Sequence, residues 1–447
     1  MRQARRIVVY IGGFLLLGSA GWLAWQWASG ISAAPMVANA PHHGPARPGE
    51  VNHAGAAAAY GVDATVIEPR RAATASAEPR IPDDWCKADK RGLDWLIGAV
   101  AAALQGDAMS DTLGGLSRRH EELLVAAKRD SLASWIRALR AQGDQRALAL
   151  AEYLAGKGEV PDTSSAARLQ AMAQRSTDPM ITALALQHAC EPGVCTNVDA
   201  AQWSRLEPAN VLAWAALTES HGSPSVLGDY PLERAAAEAR YYRDYAEEAL
   251  SLLKTVLAPE ASALQAQAEV ELLGNIEALL RLPSLRGVTQ RCLGMSTDTR
   301  VRARRCEAVA DMLWTGNNEF VRSFALRLAG ESVPISAPGR QVWERRAREF
   351  EAVSAHLSAQ RSARMDEWLP DDVLAAMCQG PIKHRQWMMR AMATGEWQEA
   401  QASLPTSSAE REELVKRWRE REGRNSALEP RPKSPRPAAS AAPAASR

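Results

Sequence analysis

This 447-residue chain has little of what a sheet requires. Aromatic residues make up 6% of it and only four are Phe. Nowhere do β-branched and polar residues alternate over a long stretch, so no strand has a face to bury. HExxH, GxSxG, a phosphate-cradling Gly-Lys-Ser/Thr loop and a GxGxxG turn are all missing, which removes the standard metalloprotease, hydrolase and nucleotide-binding signatures. Net charge is scarce as well. With 53 basic against 52 acidic residues, the chain lacks the broad basic footprint of a nucleic-acid binder.

Charge is absent altogether from Ile7 to Ala28, IVVYIGGFLLLGSAGWLAWQWA. At ~1.5 Å per residue such a run spans the ~30 Å hydrocarbon layer as one helix. Arg2, Arg5 and Arg6 precede it and the next basic residue is Arg47. That asymmetry puts residues 1–6 in the cytoplasm and sends the remainder across the membrane. Trp22, Trp25 and Trp27 then mark the far interface. A cleaved signal peptide is the alternative, but its apolar part is normally ~7–15 residues, and the nearest small-residue sites, SAA and ANA, are each followed by proline. No cysteine follows the run to accept a lipid. Arginine outnumbers lysine 45 to 8 and alanine is abundant, a composition typical of a GC-rich bacterium. The expected location is therefore the inner (cytoplasmic) membrane, single-pass, with the C-terminal domain in the periplasm.

Residues 29–80 are rich in Ala, Pro, Gly and His with scarcely a large apolar side chain, so folding entropy goes uncompensated and a flexible linker is expected. Some ~50 such residues would hold the domain roughly 40 Å from the membrane. His42, His43 and His53 lie there; low-complexity spacer is the plainer reading beside weak metal binding. Residues 423–447 read as a second disordered, Pro/Ala-rich stretch. Between them, 81–422 is large enough for an extended core.

That region reads as all-α. In PLERAAAEARYYRDYAEEALSLLKTVLAPE, apolar or small residues recur at Leu232, Ala235, Ala239, Tyr242, Ala246, Ala249, Leu253 and Val256, one helical stripe from Pro231 to Pro259. A similar stripe runs from Ser262 to Leu282. Asp178 before Pro179 and Ser407 with Glu410 carry helix-start chemistry. Segments of this size between short Pro/Gly breaks predict stacked helical hairpins.

The stretch LEPANVLAWAAL, with Leu206, Pro208, Trp214 and Leu217, resembles the junction between tetratricopeptide (TPR) repeats. GEWQEAQASL, with Gly395, Trp397 and Ala400, resembles the second helix of such a unit, and GDQRALALAEYL from Gly143 is a fainter echo. Counting on from Trp214, Thr218 and His221 stand where the repeat has a small residue and an aromatic, so no fixed period follows. The resemblance implies an irregular TPR-like stack, with an open face that binds proteins or peptides.

Six cysteines in an exported domain invite pairing, with fifteen connectivities. Cys190 and Cys195 flank Pro192 and Gly193, a turn that would bring the thiols together. On a continuous helix Cys292 and Cys306 would stand ~21 Å apart, beyond disulfide reach. LGMSTDT between them allows a turn instead. By elimination Cys86 pairs with Cys378. A redox pair, or zinc held by His188, Cys190 and Cys195, remains open beside the structural staple, though the four-residue spacing and missing fourth ligand favour the staple.

Other chemistry is weak. Glu219, Ser220, His221 and Ser223 crowd one helix end, where a solvated terminus explains them better than a triad. Glu331 and Ser332 carry a dipeptide familiar from peptidoglycan-cleaving enzymes without the rest of the motif, and Glu331 is expected in an interhelical loop. Arg300, Arg302, Arg304 and Arg305 read as a solvated helix face. Trp85, Trp95, Trp135, Trp314, Trp343 and Trp387 fall mostly on apolar stripes. The expectation is a non-enzymatic interaction or scaffold protein that holds another envelope protein or a peptide, without cofactor, metal or nucleic acid. An envelope-polymer enzyme with an unidentified acidic residue is the alternative.

Overall fold

The structure, a computed structural model, describes residue 86 and residues 109–429 apart from 159–161, 188–197, 220–229, 282–284, 294–298, 334–338 and 369–372. The expected anchor, its Trp22, Trp25 and Trp27, the linker and the Cys190/Cys195 pair lie outside the described residues. Among these residues no helix is long and apolar enough to cross a membrane.

The described chain is all-helical. Sixteen helices follow one another: α1 (Met109–Ala141), α2 (Gln145–Ala155), α3 (Thr163–Arg175), α4 (Pro179–Gln187), α5 (Ala200–Leu206), α6 (Val211–Glu219), α7 (Tyr230–Glu238), α8 (Ala246–Lys254), α9 (Ala263–Arg281), α10 (Arg286–Leu293), α11 (Thr299–Trp314), α12 (Glu319–Ser332), α13 (Arg340–Trp368), α14 (Val373–Thr394), α15 (Glu396–Ala402) and α16 (Ser408–Glu422). Side-chain oxygens start many of them by accepting from orphan backbone N–H groups. Asp144 accepts from Ala147 at 2.8 Å, Asp199 from Ala201 at 2.9 Å, and Asp178 from Met180 at 3.0 Å. Ser407 Oγ accepts from Glu410 at 3.4 Å, as its spacing predicts.

From α2 to α6 each helix packs chiefly on its sequence neighbours. The later chain departs from that one-dimensional pattern. α9 packs on α1, far behind it in sequence, and on α14, far ahead. Lys128 of α1 meets Glu271 of α9 at 3.1 Å, and Arg385 of α14 meets Glu269 of α9 at 2.5 Å. Cys86 is bonded to Cys378 of α14, and Cys292 of α10 to Cys306 of α11, with Cα–Cα distances of 5.6 Å and 5.7 Å. The stack thus closes on itself around α9.

The stripe expected as one helix from Pro231 to Pro259 is two helices, α7 and α8, with an extended stretch at 239–245. Its apolar positions from Leu232 to Leu253 are still buried, Ala239 and Tyr242 included, and Val256 is half-buried. The break is made from outside the segment: Arg240 and Tyr241 N–H donate to the Ala209 carbonyl at 2.7 Å and 3.2 Å, and Val211 N–H donates to the Tyr241 carbonyl at 3.0 Å. Tyr245 takes a left-handed conformation, φ 63°, which costs a non-glycine residue energy. The Arg243 guanidinium lies 4.9 Å over its ring, and Asp244 accepts from Ala246 N–H at 3.0 Å to start α8.

One apolar core runs from Leu132 to Leu428. Towards the C-terminal end it is organised around alternating aromatic and guanidinium groups. Arg346 stands over Trp343 (4.5 Å) and Trp314 (5.7 Å), and Arg322 over Trp314 (4.7 Å) and Trp397 (5.3 Å). Trp397 stacks on Phe350 at 5.4 Å, Phe350 meets Trp418 edge-on, and Arg424 covers Trp418. The packed chain passes the boundary expected at Glu422 and continues to Glu429, with Ala427 and Leu428 buried. A short apolar pair and a backbone bond from Ala427 N–H to the buried Glu351 carboxylate, 2.7 Å, hold this turn where composition alone predicts none.

Candidate functional site

At the turn from α5 to α6 the tetratricopeptide-like stretch builds a buried polar knot. Glu207, 7% exposed, accepts from Trp203 Nε1 at 2.9 Å, from Asn210 Nδ2 at 3.0 Å and from the Tyr241 hydroxyl at 3.0 Å. Asn210, fully buried, also donates to the Arg243 carbonyl at 2.8 Å and accepts from Leu212 and Arg243 N–H at 3.1 Å and 3.2 Å. Burial, followed by the adjacent Glu207 carboxylate, pushes the Tyr245 phenol up, as it does that of Tyr241. The groups of this knot join α5 and α6 to the 239–245 stretch.

Buried carboxylates elsewhere are committed in the same way. Glu152 of α2 receives Arg140 of α1 and Arg168 of α3 at 3.0 Å and 2.5 Å. Glu269 and Arg385 are 1% and 3% exposed at the side chain, and Arg385 also donates to the Ala258 carbonyl. Glu351 is pushed up by burial, against the Ala427 N–H and Arg419 that face it. A protonatable acid of this kind is a catalytic candidate where substrate can reach it, but the 423–429 turn lies over Glu351. His384 of α14 is pushed down to about 4 by burial, against Glu396 and with Arg364. Arg361 pairs with Glu396 at 2.5 Å and Glu319 at 3.5 Å beside it.

Arginines left over from such pairing gather in one groove of about 470 Å³ between α13, α15 and α16. Its charged lining is Arg345, Arg348 and Arg411 against Glu349 and Glu412. Glu349 is occupied by Gln401 Nε2 at 2.9 Å and Arg322 at 3.7 Å. Arg411 donates from Nε to the Pro405 carbonyl at 2.6 Å. Arg345 and Arg348 meet no carboxylate among the described residues, although their neighbour Arg346 pairs with Asp311 at 2.6 Å. The floor is apolar: Ala352, Leu404 and Val415. This is a concave, cationic surface on a rigid helical frame, suited to holding an anionic group.

The residues singled out in the sequence are packing residues here. Leu206 ends α5, Leu217 and Trp214 are each 5% exposed in α6, and Trp214 Nε1 donates to the Pro208 carbonyl at 2.8 Å. Gly395 precedes α15 at φ 74°, Trp397 is 2% exposed and Ala400 fully buried. Trp135, Trp314 and Trp343 are buried, whereas Trp85 and Trp95 lie outside the described residues. Glu331 stands in the last turn of α12, paired with Arg327, rather than in a loop: no proline or glycine follows until Pro334, so the helix continues. Glu219 ends α6, while His188, Ser220, His221 and Ser223 lie outside the described residues. Arg305 reaches Glu233 of α7 at 2.5 Å, so that face is not wholly solvated.

Sequence reading missed Glu207, Asn210, Glu269 and the groove arginines. A signal existed for the acids: Glu152 and Glu269 interrupt otherwise apolar runs, ALAEYL and AQAEVELL, where a charge needs a partner. Among the described residues no group of three or more His, Cys, Asp and Glu could hold a metal. Comparison with known protein families, with curated proteins and with solved structures gives no match to this chain.

Proposed function

We propose that this chain is a membrane-anchored, non-enzymatic interaction protein of the bacterial periplasm, an irregular TPR-like helical-hairpin body that holds another envelope protein or a peptide. The observation that carries the reading is the groove of α13, α15 and α16. There, the Arg345 and Arg348 guanidinium groups meet no described carboxylate, on a body whose buried acids hold helices together. The uncharged Ile7–Ala28 run and the arginines before it support a single span with the N-terminus in the cytoplasm. The Cys86–Cys378 and Cys292–Cys306 bonds accord with an oxidising compartment.

The test is crosslinking of the tagged chain in native membranes, with identification of what is captured. Discrete heavier species containing a second envelope protein are expected. Recovery of monomer alone under several crosslinkers of different reach counts against the role, and a C-terminal reporter enzyme active only inside the cell removes the periplasmic location.

A further inference from the structure

We infer that the groove between α13, α15 and α16 binds an acidic peptide segment, with carboxylates on Arg345, Arg348 and Arg411 and an apolar side chain on the floor between them. The inference rests on the interaction-protein reading above and gives its partner a chemistry.

Arg345 and Arg348 are three residues apart on the 29-residue helix α13, which sets both guanidinium groups on one face. Both are exposed and neither is neutralised by a described carboxylate. Across the groove, Arg411 uses Nε on the Pro405 carbonyl, and its terminal nitrogens meet no acceptor among the described residues. A carboxylate takes two parallel N–H donors from such a fork. Ser408 places the first turn of α16, with its partial positive charge, at the same rim.

The floor selects among anions. Ala352, Leu404 and Val415 offer nothing to a bare phosphate, whereas a peptide gains by covering them with an apolar side chain. A volume of about 470 Å³ suits a short stretch of chain. Glu412 is the lining acid that pairs with no described residue, and it opposes the ligand.

Fluorescence anisotropy on the purified full-length chain tests this with labelled peptides of alternating Glu and Leu, alternating Lys and Leu, and alternating Glu and Ser. The Glu–Leu peptide is expected to bind at least about tenfold tighter than the Lys–Leu peptide, and more weakly as salt rises. Arg345→Glu with Arg348→Glu weakens it by about tenfold or more; the double Arg→Lys change weakens it less; Glu412→Gln tightens it. Circular dichroism confirms that these surface changes leave the helices intact. Equal binding of acidic and basic peptides, or indifference to the charge reversal, overturns the inference. So does a Glu–Ser peptide or inorganic phosphate that occupies the groove as well as Glu–Leu does, since a small-anion site needs no floor. If partners still crosslink to the charge-reversed chain while the peptide ignores the groove, this inference falls and the interaction role stands.

Discussion

Asn210 does more to shape this protein than any residue the sequence singles out. Its side chain takes part in four hydrogen bonds, to Glu207, Leu212 and both backbone groups of Arg243, with no exposed surface. Asn210→Ala takes their partner from the backbone groups of Leu212 and Arg243, at about 1–3 kcal/mol for a buried unsatisfied group. A loss of about 2–3 kcal/mol is expected in urea unfolding, and a loss below about 0.5 kcal/mol would show the knot to be dispensable. The tie to Arg243 was not legible from the stretch LEPAN, because that partner lies thirty-three residues on. Helix caps were legible at Asp178 and Ser407, since a cap and the N–H it serves are two or three residues apart.

Among elements, legibility follows the same rule. The stripe from Leu232 to Val256 reports burial correctly and continuity wrongly. Seven residues without proline or glycine between α7 and α8 leave the helix only because Ala209, Asn210 and Thr315 supply the hydrogen bonds that a helix would have made. The C-terminal turn is similar: its composition reads as disordered, yet Gly330 of α12 leaves room for it. A Cβ on Gly330 would stand 2.2 Å from the Leu428 carbonyl oxygen, whereas one on Gly274 of α9 would meet nothing. Gly330→Val is therefore expected to lose about 1–3 kcal/mol through overpacking and to expose the 423–429 turn to proteolysis. Gly274→Ala gains roughly 0.5–1 kcal/mol from helix propensity. Equal melting of the two variants would refute the contact at Gly330.

For the molecule as a whole, fold class was readable because helical periodicity is local and strong, and the pairing of Cys292 with Cys306 because they stand only 14 apart in sequence. Closure was not: contacts of α9 with α1 and α14 leave no mark in any window of sequence. The groove was equally hidden, since its arginines come from two helices far apart in sequence and look like ordinary surface charge. In the chain-entropy account the Cys292–Cys306 loop, separation 14, stabilises by ~3 kcal/mol and the Cys86–Cys378 loop, separation 292, by about 6 kcal/mol. Paired Cys→Ser variants in guanidinium titrations should follow that order, and the reverse order would show that α14 holds the early chain without its covalent bond. Cys86 also decides where a tug on the preceding chain is felt. Tension arriving from the N-terminal side enters at Cys86 and crosses the sulfur bridge straight into α14, so α1 is shielded from shear and the hairpins cannot be unzipped one after another.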